Sequence, residues 1–301
     1  MKKIFAAALS LALCAGLAAC GTPASSGAAS SAPASTPASM SSASGAASAV
    51  GAVLKIGASP APHAEILEHA AALLADQGVT LEIKEFDDYV LPNTALEDGS
   101  LDANYFQHQP YLTNFNAENG THLVSAGSIH YEPLGVYGGK SSDLKSVPDG
   151  AAIGIPADAT NGGRALLLLQ DSGVLTLKDG ISLDTFRNAE NINFTEYDGI
   201  AENPHNVKIT AMEAANLPAS LPDFDFAVIN GNYAIPAGIA DKLLATENAS
   251  GEAAQVFANI VAVREGDEGR ADIKALVDVL KSAEMKQWIT EKYAGSVLPV
   301  D

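Results

Sequence analysis

The first fifty residues consist of an apolar leader and an uncharged tether, so only residues 54–301 can build a folded core. Residues 21–50 contain only Gly, Ala, Ser, Pro and Thr with one Met and one Val. Such a stretch cannot bury enough apolar surface to offset its chain entropy, and we predict that residues 20–53 form a disordered tether. The fold must therefore be encoded by the remainder of the chain.

Residues 1–19 have the layout of a signal peptide, with Lys2 and Lys3 before an apolar stretch and small residues before the cleavage point. The stretch is shorter than the roughly 20 residues of a transmembrane helix. The letters LAAC at 17–20 resemble a bacterial lipobox, in which Cys20 receives a lipid and becomes the mature N-terminus. We expect a cell-envelope protein, lipid-anchored to a bacterial membrane and facing outside the cytoplasm. The alternative is an ordinary secretory signal with a coincidental cysteine.

The cysteine count excludes several kinds of chemistry. The chain has 2 cysteines, Cys14 and Cys20, and both precede the predicted folded part. We therefore expect no disulfide, no cysteine nucleophile and no cysteine-based metal site in residues 54–301. The 6 histidines are scattered without paired ligand spacing, so no metal or cofactor is expected. A zinc-binding solute receptor remains a distant alternative.

The charge balance excludes a nucleic-acid partner. The chain has 17 Lys and Arg against 36 Asp and Glu, a net charge of −19. Binding phosphates, or an anionic membrane surface, requires clustered basic residues, which this composition lacks.

The body alternates between strand-like and helix-like patterns, which predicts an α/β fold with mostly parallel sheets. Turn-rich segments at 133–139 and 251–255 favour two lobes over a single barrel, with the chain crossing between them at these segments. We predict lobe 1 from residues 54–134 plus 256–301 and lobe 2 from 135–255. The predicted strands cover 53–58, 80–86, 102–106, 122–126, 151–155, 207–211, 226–229 and 259–263, and the predicted helices 62–77, 93–97, 163–171 and 270–290, with another opening at Pro110.

An aromatic cluster is the first candidate site. Aromatic residues are 6% of the chain, yet six of them lie between Phe86 and Phe115. Their neighbours are His and Gln, so the patch is apolar with polar edges. Aromatic faces suit an apolar or thioether side chain, since sulfur–aromatic contacts contribute roughly 0.3–1.5 kcal/mol. Ordinary core packing is the alternative explanation.

The sequence TNGGR at 160–164 opens an apolar helical run and is the second candidate. Two glycines, free amide groups and Arg164 at a helix start predict an anion site, with a carboxylate bound bidentately by the guanidinium. A cation in the first turn also opposes the helix dipole by about 0.3–1 kcal/mol, which calls for a functional reason. The alternative is that Arg164 points to solvent.

The third candidate is Asn230, which follows the predicted strand at 226–229. Ligands of open α/β sheets bind beyond the carboxyl ends of the strands, where an amide side chain can meet both an ammonium and a carboxylate. A turn-forming Asn-Gly pair is the alternative.

Taken together, these segments resemble the NlpA lipoprotein family over about residue 54 to the C-terminus. The ordered combination makes the resemblance specific, and the lipobox agrees with it. The segments that carry it read DYVLPN at 88–93, DAN at 102–104, FQH at 106–108, PYL at 110–112, TN and GR within 160–164, and VIN at 228–230 followed by Tyr233.

The resemblance implies a type II periplasmic-binding-protein-like fold, in which two α/β lobes joined by a hinge close on an amino acid. Tyr105 and the tether lie outside the family's motifs and are expected to vary freely. Glu132 at the first crossing and Asn203 are weaker candidates for the binding site. The residues expected to surround the ligand side chain are Tyr89, Phe106, His108 and Tyr111, and those expected to hold its carboxylate and ammonium are Asn161, Arg164 and Asn230.

The family further implies a lipid-anchored receptor that captures L-methionine and delivers it to an ABC importer permease with its ATPase. Another amino acid or a methionine-containing dipeptide is the alternative ligand. Enzyme motifs are missing: Leu134 replaces the first glycine of a phosphate loop ending at residues 139–141, and neither G-x-S-x-G nor H-E-x-x-H occurs. A tethered surface adhesin or enzyme is the alternative from another class.

Overall fold

The structure, a computed structural model, describes residues 51–187, 199–248 and 252–301. The predicted signal peptide, the lipidation at Cys20 and most of the predicted tether lie outside these ranges. The described residues all belong to one compact unit.

The eight predicted strands lie close to their predicted positions, and five further short strands in the described ranges were not predicted. In chain order they are β1 Ala52–Ala58, β2 Val79–Glu85, β3 Ala103–His108, β4 Leu123–Tyr131, β5 Gly135–Gly138, β6 Ala152–Pro156, β7 Thr176–Leu177, β8 Ile200–Glu202, β9 Lys208–Met212, β10 Phe226–Ile229, β11 Leu243–Thr246, β12 Asn259–Arg264 and β13 Leu298–Pro299.

The helices of the same ranges connect these strands. They are α1 Glu65–Ala75, α2 Leu91–Glu97, α3 Gln109–Asn119, α4 Ala159–Asp171, α5 Leu183–Arg187, α6 Leu217–Ser220, α7 Gly231–Ala237, α8 Glu252–Val256, α9 Ala271–Leu280 and α10 Ala283–Tyr293.

Two sheets carry the fold, and both are mixed. Sheet 1 has the order β13-β4-β12-β3-β1-β2 and sheet 2 the order β11-β5-β10-β6-β9. Within the described residues β1 is parallel to β2 and β3, and β6 to β9 and β10, while the other pairs of these sheets are antiparallel. The predicted mostly parallel sheets are therefore wrong. Strand–helix alternation describes local connections only. It predicted the strand β12 but not its place, antiparallel between β3 and β4.

The chain crosses from sheet 1 to sheet 2 after Tyr131 and returns to sheet 1 after Thr246. The two crossing segments touch, because the backbone N–H of Glu247 donates to the carbonyl of Leu134 at 3.0 Å. Strands from 52–131 and 259–299 thus build sheet 1, and strands from 135–246 build sheet 2. The exact lobe boundaries at 134/135 and 255/256 stay predictions.

Each sheet has its own hydrophobic core. In sheet 1, Leu54 and Ile56 on β1 pack with α1, α9 and α10, where Ile66, Leu276 and Ile289 are fully buried. Buried and exposed residues alternate at the start of β1 because one face meets this core and the other meets solvent.

The core of sheet 2 surrounds helix α4, which is buried along almost its whole length. Ile153 on β6 and Val228 on β10 pack against Ala165 and Leu169 of this helix. The fit is close at Gly163, where an added Cβ would overlap the ring of Phe186. Arg164 is next to this glycine, so the same close packing sets its position.

The predicted helix 270–290 is two helices. Ser282 between α9 and α10 has extended backbone geometry, with φ −63° and ψ 155°, and its hydroxyl accepts the N–H of Met285 at 3.3 Å. A serine in this role caps a new helix and ends the previous one. No helix in the described ranges meets the length and hydropathy that a bilayer crossing requires.

Truncating a core residue of β1 tests this packing. We expect Ile56→Ala, at a side chain with 0% exposure, to lower the free energy of unfolding by about 2–5 kcal/mol because it leaves a cavity. Val53→Ala on the same strand, at a residue 56% exposed, is the matched control and should change it by no more than about 0.5 kcal/mol. Urea denaturation of both variants measures the difference, and equal losses would contradict the assignment of β1's buried face.

Candidate ligand-binding site

A cavity of about 20 Å³ lies between the two sheets, beside both crossings. This volume holds about one water molecule, so a larger ligand enters only when the walls move apart. The structure brings eight of the nine predicted binding residues to its wall. The lining residues are Tyr89, Phe106, His108, Tyr111, Glu132, Asn161, Arg164, Asn230, and in addition Gln107, Gly231, Asn232 and Asn259.

The carboxyl ends of strands place these side chains together. His108 ends β3, Glu132 follows β4, and Asn230 follows β10, while Asn161 lies in the first turn of the helix after β6. Because β3 and β4 run in the same direction in sheet 1, and β6 and β10 do so in sheet 2, residues far apart in sequence meet at their carboxyl ends.

The aromatic cluster forms one wall of the cavity. The ring centroids of Tyr89, Phe106 and Tyr111 lie 5.5–6.2 Å from one another, in tilted or edge-to-face pairs, and Phe115 packs behind them. The Tyr89 hydroxyl donates to Oδ1 of Asn232 at 2.6 Å, which joins this wall to the sheet 2 side. The wall presents apolar ring faces to the cavity, while the tyrosine hydroxyls at its edge are hydrogen-bonded to protein groups.

His108 faces the cavity as a neutral imidazole. Its Nδ1 accepts the backbone N–H of Tyr111 at 3.1 Å, so the proton is assigned to Nε2, which donates to Oδ1 of Asn161 at 3.0 Å. Burial, aided by the charge of Arg164, lowers the pKa of His108 to about 3. His108 therefore contributes an N–H donor and no charge at neutral pH.

Asn161 is the point on which several donors converge. Its own amide N–H groups donate to both oxygens of Asp158, each at 3.0 Å, which turns Oδ1 into the cavity. That oxygen meets Nε2 of His108, Nη1 of Arg164 at 3.3 Å and Nδ2 of Asn230 at 2.9 Å. A carbonyl oxygen has two lone pairs, so three donors exceed what it accepts. The N–H donors in excess are available to a ligand, and a carboxylate at this place would accept them.

Helix α4 begins earlier than predicted and is capped differently. Asp158 is the N-cap, and its carboxylate accepts the N–H of Asn161 at 2.9 Å. The helix-start amides are thus not free, and Arg164 lies in the second turn. Asn161 and Arg164, three residues apart, share one helical face toward the cavity.

Arg164 is 2% exposed, and its ion-pair partner was not predicted. Its Nε and Nη2 donate to the two carboxylate oxygens of Glu247 at 3.0 and 2.5 Å. The bidentate pairing that was predicted for a ligand carboxylate is therefore made by Glu247, within the protein. The guanidinium also stacks 4.4 Å from the ring centroid of Phe257, and Nη1 remains toward the cavity. Arg164 can offer a ligand this one nitrogen rather than the fork.

Acceptor groups line another part of the cavity. Oδ1 of Asn230 is buried without a hydrogen-bond partner within the described structure, and Glu132 is 7% exposed. An unpaired buried acceptor costs roughly 1–3 kcal/mol, which a ligand donor would recover. The cavity thus has donors on one side, acceptors on another and an aromatic wall, as a zwitterion with an apolar side chain requires.

Some predictions and omissions need correction. Asn203 is not at the cavity wall, because its side chain bonds the backbone N–H and carbonyl of Val207 within a turn. Tyr105, expected to vary freely, is fully buried and bonded to His130. Sequence reasoning also missed Glu247 and Phe257, since nothing in their local pattern shows that the second crossing reaches Arg164.

A buried group of potential metal ligands borders the cavity, although no metal site was expected. Ligand atoms of His63, His130 and Glu132 lie within 4.8 Å of one another. Both imidazoles, however, are engaged at both nitrogens by protein groups, including Ser59 and Asn259. As the side chains stand, they form a hydrogen-bonded network rather than an open coordination site.

Comparisons with known proteins agree with this geometry. The sequence model of the family described as NlpA lipoprotein matches residues 54–301. The methionine-binding lipoprotein MetQ of Bacillus subtilis is 41% identical over 242 residues, covering 79% of this chain and 85% of the relative. A putative lipoprotein from Ruminococcus gnavus has a TM-score of 0.77 at 48% identity, covering 83% of this chain and 99% of that one. A nutrient-binding protein from Burkholderia cenocepacia, solved bound to methionine, has a TM-score of 0.74 at 38% identity, covering 82% and 100%.

The fold, the cavity and these relatives define a two-lobed solute-binding protein, which confirms the predicted α/β class. The relatives are named for ligand binding rather than for an enzymatic activity. The chain belongs to the NlpA lipoprotein family, as predicted from its motifs.

The buried histidines predict how stability depends on pH. Burial lowers the pKa of His63 to about 4, and of His108 and His130 to about 3, from 6.5. Because the unfolded chain binds these protons more tightly, the contribution of the neutral histidines to the free energy of unfolding is fully present above pH 6.5 and is lost as pH falls toward 4. In that window each histidine should lower the free energy of unfolding by about 1.4 kcal/mol per pH unit. The raised pKa of Glu132 partly opposes this loss.

Urea denaturation between pH 7.5 and 5 measures this slope. His63→Gln should reduce it by one histidine's contribution. His122→Gln, at a side chain 74% exposed, is the control and should leave it unchanged. Equal unfolding free energies at pH 7.5 and 5 would contradict burial of the three neutral imidazoles.

Proposed function

We propose that this protein captures L-methionine in the cavity between its lobes and delivers it to an ABC importer. The observation that carries the proposal is the convergence of donors from His108, Arg164 and Asn230 on one oxygen of Asn161, opposite an aromatic wall. Two relatives support the ligand: one is named methionine-binding, and one was solved bound to methionine.

The carboxylate of the ligand is assigned to the donor side. Arg164 Nη1, His108 Nε2–H and Asn230 Nδ2 each direct an N–H toward this point. Hydrogen bonds to a charged group contribute about 1.5–3 kcal/mol each, so a carboxylate gains more here than a neutral amide would.

The ammonium is assigned to the acceptor side, formed by Glu132 and the unpaired Oδ1 of Asn230. This arrangement places the two charged groups of the amino acid within one bounded volume. The side chain then extends toward Tyr89, Phe106 and Tyr111, where a thioether sulfur meets ring edges and faces.

Closure brings the lobes together around the ligand. Contacts between the two sides include His108 with Asn161, Tyr89 with Asn232, and the Tyr233 hydroxyl, which donates to the carbonyl of Asp87 at 3.1 Å. Domain closure about a hinge is the general mechanism of such receptors, and the two crossing segments are the hinge. No bond is made or broken.

We further infer that the protein acts on the outer side of a bacterial membrane, held there through a lipid on Cys20. Its partners in this proposal are an importer permease and the associated ATPase, which supplies the energy for transport. The lipobox-like LAAC segment and the lipoprotein names of the relatives support the anchor. Mass spectrometry of the membrane-extracted protein, with Cys20→Ser as the comparison, tests it.

Removing Arg164 should abolish capture. We expect Arg164→Ala to raise the Kd for L-methionine by about a hundredfold or more, because the variant loses a buried charge-assisted donor. Isothermal titration calorimetry of residues 54–301 measures this value. Arg270→Ala is the matched control: Arg270 pairs with Asp102 and Asp272 away from the cavity, and the variant should bind as the wild type does.

Arg164→Ala also leaves Glu247 buried without its partner, so both variants are first compared by circular dichroism and thermal melting. Asn230→Ala, which removes no charge, gives a second measure and should weaken binding about tenfold. Titration with all twenty amino acids and with methionine-containing dipeptides sets the ligand class. Saturable binding of another solute without binding of methionine would overturn the proposal.

A further inference from the structure

Two buried histidines converge on one oxygen of Glu132. Nε2 of His130 lies 2.8 Å from Oε1, and Nε2 of His63 lies 3.4 Å from the same atom. The histidines come from different elements, His130 from β4 and His63 from the turn after β1, and both have 0% exposure. Neither lines the cavity, whereas Glu132 does.

A hydroxyl behind each imidazole fixes its ring proton on Nε2, and in His130 this proton points at Glu132. Nδ1 of His130 is bonded to the hydroxyl of Tyr105, and Nδ1 of His63 lies 2.7 Å from Oγ of Ser59. When a hydroxyl donates to Nδ1, the ring proton lies on Nε2, and we assign both tautomers from this network. The Nε2–H of His63 donates to Oδ1 of Asn259 at 3.0 Å, so its 3.4 Å approach to Oε1 of Glu132 is a close electrostatic contact rather than a hydrogen bond.

The second oxygen of Glu132 is left on the cavity side. A Cβ built on Gly231 would lie 2.5 Å from Oε2, so this oxygen passes directly over a glycine that lines the cavity. Any side chain at position 231 would displace the carboxylate. The two oxygens thus have different surroundings: histidines at Oε1, and the cavity wall at Oε2.

The charge of Glu132 is not matched by a full positive charge. Within the described ranges its ion pairs are those with His63 and His130. Burial keeps both imidazoles neutral near pH 7, with pKa values of about 4 and about 3. Arg164 bonds only the backbone carbonyl of Glu132 and directs its charge to Glu247.

From this geometry we propose that His63 and His130 are positioning residues, which hold Oε1 of Glu132 so that Oε2 receives the ammonium group of the ligand. The inference rests on the proposed function, because it concerns the ammonium of that amino acid. It predicts a requirement for a primary amine, so the α-hydroxy analogue of methionine should bind far more weakly.

The titratable groups around Glu132 determine how its charge responds to pH. Burial raises its pKa, and electrostatic interaction with His63 and Arg164, together with the backbone N–H of Asn232, opposes that rise because each favours the charged form. The tyrosines nearby stay protonated, since burial raises their pKa as well. The titratable and charged groups around Glu132 are His63, His130, Arg164 with Glu247, and the tyrosines Tyr89, Tyr105, Tyr137 and Tyr293.

A double-mutant cycle tests the proposal. His130→Leu removes one donor and should raise the Kd for L-methionine about tenfold at pH 7. The loss should grow as pH falls, because protonation of Glu132 removes the charge that the ammonium group requires. His130→Gln, whose amide nitrogen reaches the Nε2 position, should restore most of the affinity. In a Glu132→Gln background His130→Leu should have no further effect.

The cycle separates positioning from general damage. If His130→Leu lowers the affinity for L-methionine equally in both backgrounds, His130 acts through packing alone and the proposal is overturned. Unchanged affinity in the Glu132→Gln variant would also overturn it. Melting temperatures of all variants show whether they fold, and Tyr105→Phe, which releases the His130 tautomer, should give a weaker form of the same pH dependence.

A measurement without ligand keeps this inference separate from the proposed function. Carbon-13 NMR of labelled glutamate follows the ionisation of Glu132 directly, and His130→Leu should move its titration to higher pH. If that shift is observed while the wild type does not bind methionine, the methionine proposal fails and the positioning stands. An unmoved titration overturns the positioning, and so does stoichiometric zinc binding, since a metal takes the Nε2 lone pairs.

Discussion

The buried ion pair of Arg164 and Glu247 is the interaction on which the rest of the site depends. Arg164 belongs to helix α4 of sheet 2, and Glu247 lies where the chain leaves that sheet. Glu247 also accepts the Tyr131 hydroxyl at 2.6 Å and the N–H of Leu134 at 2.9 Å, both at the first crossing. One carboxylate therefore joins a helix and both crossings, and removal of either charge would leave the other buried and unpaired.

This pair also determines what Arg164 can offer a ligand. With Nε and Nη2 occupied, Nη1 remains for the cavity, next to Nε2 of His108 and Nδ2 of Asn230. Recognition is thereby divided among three single donors from three elements. These donors come from both sides of the cavity, so the closure proposed above would bring them together and couple binding to closure.

Much of the fold follows from local patterns, and the errors have a common cause. The strand ending at His108 and the strand before Asn230 were predicted close to their observed bounds, since apolar periodicity is a short-range property. The mostly parallel sheets were wrong, because sheet order depends on β12 returning from a distant part of the chain. The helix predicted over 270–290 divides at Ser282, where one side chain cap outweighs a continuous apolar pattern.

The sequence by itself determined the family, the two-lobed α/β class and eight of the side chains that line the cavity, because these depend on residue types in a fixed order. Only the tertiary structure decided which charges neutralise one another. It placed Glu247 on Arg164, paired Tyr105 with His130, and left Asn203 in a turn. Such contacts join residues up to 83 positions apart, and their energies depend on burial and distance, which no local pattern contains.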